Sequence, residues 1–193
     1  SCALLIIIKV KNDIFTVSSD EVELGSMGRS KSYDFQSEFN VRSIPKLDNK
    51  IRLHVEVIPF TKKLHKIYTN KYKFDQNLPK VSFIDSIPEK PEIVLLRIMD
   101  VVGLIGELNS NYNSDILTLM RDTENIEMIS SIVVSLPKLE IEKIKQSDAV
   151  YLVNKDDRKL TLALYKDGKP TSSVNISGGK NIGYRISKFC WAS

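Results

Sequence analysis

Short runs of alternating apolar and polar residues, turn formers at regular intervals between them, and a more helical middle predict an α+β protein. It is mainly antiparallel β, with N-terminal and C-terminal meanders flanking two or three helices. In the first meander Tyr33, Phe35, Phe39 and Val41 alternate with Asp34, Gln36, Glu38, Asn40 and Arg42. Period two with one apolar face marks a half-buried strand of an antiparallel sheet. In the second, Leu160, Leu162 and Leu164 alternate with Thr161, Ala163 and Tyr165 ahead of Asp167-Gly168. That dipeptide closes a tight hairpin, because glycine takes positive φ without strain. The chain has 193 residues, 42% of them hydrophobic, with 8 Gly and 7 Pro. Disordered and fibrous classes are excluded by that balance, and one globular unit with a proper core is expected. Within it, residues 1–86 form a β-rich lobe, and residues 87–193 form helices followed by a β-meander.

The elements follow in order. Residues 2–10 are a continuous apolar run ending in Lys9-Val10-Lys11, too short and too poor in leading basic residues for a signal peptide. A buried strand is expected there, returning after Lys11-Asn12-Asp13 as Ile14–Val17. A Gly/Ser loop is expected over 25–32, then the strand at 33–42 and the turn Pro45–Asn49. Ile51, Leu53, Val55 and Val57 face inward on the next strand, which Pro59 ends because it cannot donate to a ladder. A strand at 66–74 places Tyr68, Tyr72 and Phe74 on one face.

Pro91 and Glu92 suit the first turn of a helix over 93–108. Gly103 and Gly106 are its weak points, each costing about 1 kcal/mol relative to alanine. Arg97 and Asp100 form an ion pair on that helix, near Glu107. Ser114 caps a second helix to Thr123, with Asp115 in its first turn. Met128–Leu136 is a strand, and Pro137 opens a third helix that stops near Ser147. Val150–Val153, Leu160–Leu164, Val174 with Ile176, and Ile182–Ile186 then form a four-strand meander.

Two cysteines, Cys2 and Cys190, point to an intracellular and cytoplasmic protein with reduced thiols; a bridge joining them is the alternative. The absence of a CxxC or Cys/His cluster argues against structural zinc, and no run of apolar residues is long enough for a transmembrane helix. One sequon, Asn175-Ile176-Ser177, is weak evidence for secretion. The chain starts without Met, as a trimmed chain would, and Gly25-Ser26-Met27 then reads as a junction before a natural start.

Charge is concentrated in one place. The chain carries a net +4, yet residues 60–74 hold five lysines and no acid, so the remainder sums to −1. Lys62, Lys63, Lys66, Lys71 and Lys73 beside Tyr68 and Tyr72 could track a phosphate backbone and stack bases. Lys180 and Arg185 are possible helpers. A hairpin with a lysine-rich solvent face explains the same residues without a ligand. Trp191 beside Phe189 suggests a protein interface, where aromatic residues are enriched.

Gly25–Lys31 fails as a phosphate loop, since a strand follows it and the Gly-Lys-Ser/Thr order is missing. His54 and His65 are the only histidines, and neither sits in a motif with a carboxylate. Asp156-Asp157 reads as an ordinary turn. No catalytic residue, metal ligand or cofactor is therefore assigned. The expected function is a non-catalytic interaction or assembly module with a protein partner or a second copy. Nucleic-acid or other polyanion binding through 60–74 is the alternative, and a small enzyme of unrecognised type a second one.

Overall fold

Residues two apart on neighbouring strands bring their apolar side chains to one face of a single antiparallel sheet. The computed structural model describes residues 5–10, 22–32, 37–58, 62, 92–156, 159–176 and 180–191. Among them run ten strands: β1 (Leu5–Val10), β2 (Met27–Ser32), β3 (Ser37–Ser43), β4 (Ile51–Ile58), β5 (Ile93–Ile98), β6 (Glu127–Ser135), β7 (Ala149–Asp156), β8 (Lys159–Lys166), β9 (Lys169–Val174) and β10 (Lys180–Trp191). Three helices, α1 (Val101–Leu108), α2 (Ser114–Asp122) and α3 (Lys138–Gln146), occupy the middle, as the α+β reading expects. The sheet order is β1-β10-β6-β5-β4-β7-β8-β9, with β2 and β3 branching from β6.

Register fixes the core. Leu53, Ile98, Leu96, Ile132, Val94 and Val134 lie in paired rows across β4, β5 and β6. They join Leu104, Leu108, Ile116, Met120, Ile141 and Ile144 from the helices in one buried cluster. β6 is buried on both faces along nearly its whole length. The Asp167-Gly168 turn takes φ of 52° and 75°, the two positive values that the sequence reading required.

Several expectations are corrected. The helix expected over 93–108 divides: Ile93–Ile98 is strand β5, and only Val101–Leu108 is helical. Ile93, Val94 and Ile98 are β-branched residues that pack well in a pleated interior strand, and Asp100 starts the helix after them. Its Oδ1 accepts the Gly103 N–H at 2.9 Å. Arg97 is consequently a strand residue paired with His54 and Ser131, and Asp100 is a cap rather than its ion partner. The loop expected over 25–32 becomes β2 from Met27 onward. Gly28 permits that pairing, since a Cβ there would lie 1.9 Å from the Asn40 carbonyl oxygen.

The strand expected over 33–42 runs from Ser37 to Ser43, with 33–36 outside the described residues. Residues 14–17 and 66–74 also lie outside them, and β1 pairs with β10. The C-terminal meander has three strands, not four. β10 passes β9 and inserts between β6 and β1. β9 offers a poor next edge, exposed from Lys169 to Ser173 and lacking an N–H at Pro170, whereas β6 needs covering neighbours. Ser114 opens α2 without capping it: the cap position is Asn113, and no side-chain capping bond forms there. Cys190 is an exposed free thiol, and no described helix is long and apolar enough to cross a membrane.

Gly103 has a specific reason to lack a side chain. A Cβ there would sit 2.2 Å from Asp100 Oδ2, in the space that the capping carboxylate fills. Gly103→Ala, ordinarily worth about 1 kcal/mol to a helix, is expected to be neutral or destabilising because it displaces the cap. Asp100→Ala should cost about 1 kcal/mol, and in that background Gly103→Ala should become stabilising. Urea unfolding of the two single variants and the double variant measures the coupling. A stabilising Gly103→Ala in the native background contradicts this account.

Candidate functional site

Strand β4 is offset from one of its neighbours. β5 pairs with it from Leu53 to Ile58, but β7 pairs only with Ile51, Arg52 and Leu53. The Arg52 carbonyl accepts the N–H groups of Met99 at 3.0 Å and Asp100 at 3.1 Å, on the β5 side. Backbone groups alternate along a strand, so His54 and Glu56 also turn toward β5. Val55 and Val57 turn the other way. Beyond Leu53 no strand among the described residues pairs with that side of β4.

The continued register would place Asp148 and Gln146 opposite Val55 and Val57. The chain there has instead wound into the end of α3, closed by Ser147 Oγ donating to the Ile144 carbonyl at 2.6 Å. The mismatch leaves a cleft of about 310 Å³. Its floor is Val55, Val57 and Ile144, and its far end is Asp148 and Ala149, where β7 begins. Met99 lies on its lining and is 49% exposed, followed along the chain by the exposed Val101 and Val102.

Most charges around the cleft are engaged. Lys145 Nζ donates to Glu92 Oε1 at 2.5 Å, with Glu142 at 3.8 Å. Its pKa is raised above the ordinary lysine value, first by the hydrogen bond to Glu92, with the charges of both glutamates adding and partial desolvation opposing. His54 Nε2 lies 2.9 Å from Glu56 Oε1, so His54 has a carboxylate neighbour that no sequence motif announced. Asp148 Oδ2 accepts the Asp167 N–H at 2.8 Å.

Arg52 is different. Its Nη2 donates to the Asp148 carbonyl at 3.3 Å, and its Nε is buried without a hydrogen-bond partner. The guanidinium lies 5.5 Å from the centre of the Tyr151 ring. Tyr151 packs edge-on against Tyr165, with centroids 5.0 Å apart. Lys50 Nζ stands over both rings at 5.1 and 5.4 Å. These contacts hold Arg52 in place at the mouth of the cleft.

The loop leading into β4 is held as firmly. Buried Asn113 accepts the Lys46 N–H at 2.8 Å and donates to the carbonyls of Lys46 at 2.7 Å and Glu107 at 2.9 Å. Glu107, also buried, accepts the Asn49 N–H, and Asn154 accepts the Leu47 N–H. Side chains from α1, the turn before α2, and β7 thus fix the path into β4.

Few of the residues singled out from sequence are among those described. Lys62 is exposed; Lys63, Lys66, Tyr68, Lys71, Tyr72 and Lys73 fall outside the described residues, as do His65 and Asp157. Arg185 sits half-buried on β10 opposite Ser131. Phe189 and Trp191 are half-buried and pack against the core cluster. Of the described ones, Lys62, Arg185, Phe189 and Trp191, none lines the cleft. Arg52 and Val55 were legible only as strand residues, because the offset between β4 and β7 arises from pairing, not from a local pattern. No His/Cys/Asp/Glu group able to hold a metal occurs among the described residues. Comparison with family models, curated proteins and solved structures gives no match.

Asn113→Ala removes three hydrogen bonds and strands the Lys46 backbone groups. A loss of about 2 kcal/mol in unfolding free energy is expected, with faster amide exchange at Lys46. Unchanged exchange there would show that Asn113 does not hold the loop.

Proposed function

We propose that the protein is a non-catalytic interaction module that assembles with a protein partner by accepting an extended segment beside β4. The observation that carries this reading is the side of Val55 and Val57 that faces a cleft and that no described strand pairs with. A strand edge that keeps its N–H and C=O groups free is a template for another strand, and peptide recognition commonly uses it.

The outer edge gives a useful contrast. β9 carries Lys169 and Pro170, two of the devices that discourage strand pairing. Val55 and Val57 carry neither. The apolar floor and the exposed Met99 nearby offer contact area for alternate side chains of an added segment.

Two measurements test this. In the protein by itself, Val55 and Val57 amides should exchange faster than those of His54 and Glu56, which turn toward β5. Adding a capped octapeptide of alternating valine and threonine should slow exchange at Val55 and Val57 selectively. Val55→Pro removes the N–H that faces the cleft and spares the hydrogen bonds to β5, so it should weaken peptide binding at least severalfold while far-UV circular dichroism stays unchanged. Equal protection of all four amides without peptide would overturn the proposal.

A further inference from the structure

Asp148 and Ala149 block one end of the cleft, and the block stands beside Arg52. An added strand lies in line with β7, so it must terminate where Asp148 and Ala149 begin. If it runs antiparallel to β4, as β7 does, the end meeting the block is its C-terminus. An α-carboxylate would then arrive at the mouth where the Arg52 guanidinium lies.

Arg52 has the chemistry to receive it. Its Nη2 makes one bond, 3.3 Å to the Asp148 carbonyl, and the residue lines the cleft, while its Nε is buried and out of a ligand's reach. The outer Nη1/Nη2 edge of a guanidinium matches a carboxylate bidentately, and such charged hydrogen bonds are the strong ones. Among the other polar residues lining the cleft, Lys145 is engaged by Glu92 and Glu142, and His54 Nε2 lies 2.9 Å from Glu56 Oε1. Asp148 is the acid nearest the block, and its Oδ2 is turned to the Asp167 N–H. The Tyr151 ring holds the guanidinium in position before anything binds.

We infer that the cleft takes the free C-terminal segment of a partner protein as a strand antiparallel to β4, with the partner's α-carboxylate on Arg52. The inference rests on the strand-addition reading and makes it more specific. Capture of a terminal carboxylate at the end of an added strand combines two known recognition modes. A terminus also fits a blocked cleft better than an internal segment, which would need to turn sharply at Asp148.

The test uses two octapeptides of alternating valine and threonine, both acetylated, one ending in a free carboxylate and one in an amide. Binding to the full chain is followed by amide shifts and by exchange protection at Val55 and Val57. The free-acid peptide should bind about tenfold tighter than the amide at low salt. Arg52→Met should erase that difference while both peptides still protect Val55 and Val57, and Arg52→Lys should restore part of it.

Equal binding of the two peptides, with both amides protected, overturns the carboxylate inference and leaves strand addition standing. A preference for the free acid that survives Arg52→Met removes Arg52 from the site. No protection by either peptide overturns both readings. Protection already present without peptide, whether or not it rises with protein concentration, means that this chain or a second copy fills the cleft, and it overturns the partner-terminus assignment.

Discussion

Strand β6 sets the terms for the rest of the sheet. It is buried on both faces, so each of its backbone groups needs a partner within the protein. One side is met by β10 along almost the whole strand. The other is shared: β5 takes Ser131–Ser135, and β2 takes Glu127 and Met128. Between these, Gly25 and Ser26 exchange backbone bonds with Ile129 at 2.8 and 2.9 Å. That division pushes β2 and β3 out of the main strand order. Buried Glu127 steadies the departure by accepting both the N–H and the hydroxyl of Ser30.

A second division, at β4, has the opposite outcome. There the neighbour leaves and nothing described takes over. β7 must enter from α3, and a helix of nine residues with Ile141 and Ile144 buried cannot also run beside Val55 and Val57. The sheet thus completes its core at the cost of one incomplete ladder. Because the adjoining loop is tied down by Asn113, Glu107 and Asn154, the incomplete stretch is presented on rigid backing, which lowers the ordering needed on binding.

Local signals carried much of the fold into the sequence. The alternation around Leu160–Leu164, the positive-φ turn at Asp167-Gly168, the strand near Met128–Leu136 and the helix after Pro137 all depend on neighbours within a few residues. Illegible features were those decided at a distance. Ile93–Ile98 matched a buried helix until strands on both sides claimed it, since a short apolar run has no period of its own. Gly103 looked like a helix defect until the Asp100 carboxylate occupied its missing side chain. Nothing local marks Val55 and Val57 as differing from Ile51 and Leu53. The cleft exists because of where β7 begins.

The placement of β10 has a consequence for how the protein forms. The strand lies in the interior of the order, between β1 and β6, although it is the latest of the ten in sequence. Synthesis therefore releases β6 with one flank uncovered, and β1 without its described strand partner, until residues 180–191 emerge. Other ties span similar distances: Asn181 bonds the Val22 carbonyl 159 residues away, and Leu47 bonds Asn154 across 107. Such long-range closure makes folding slow and leaves a sticky flank waiting on the ribosome, where binding by a chaperone would compete with the arrival of β10.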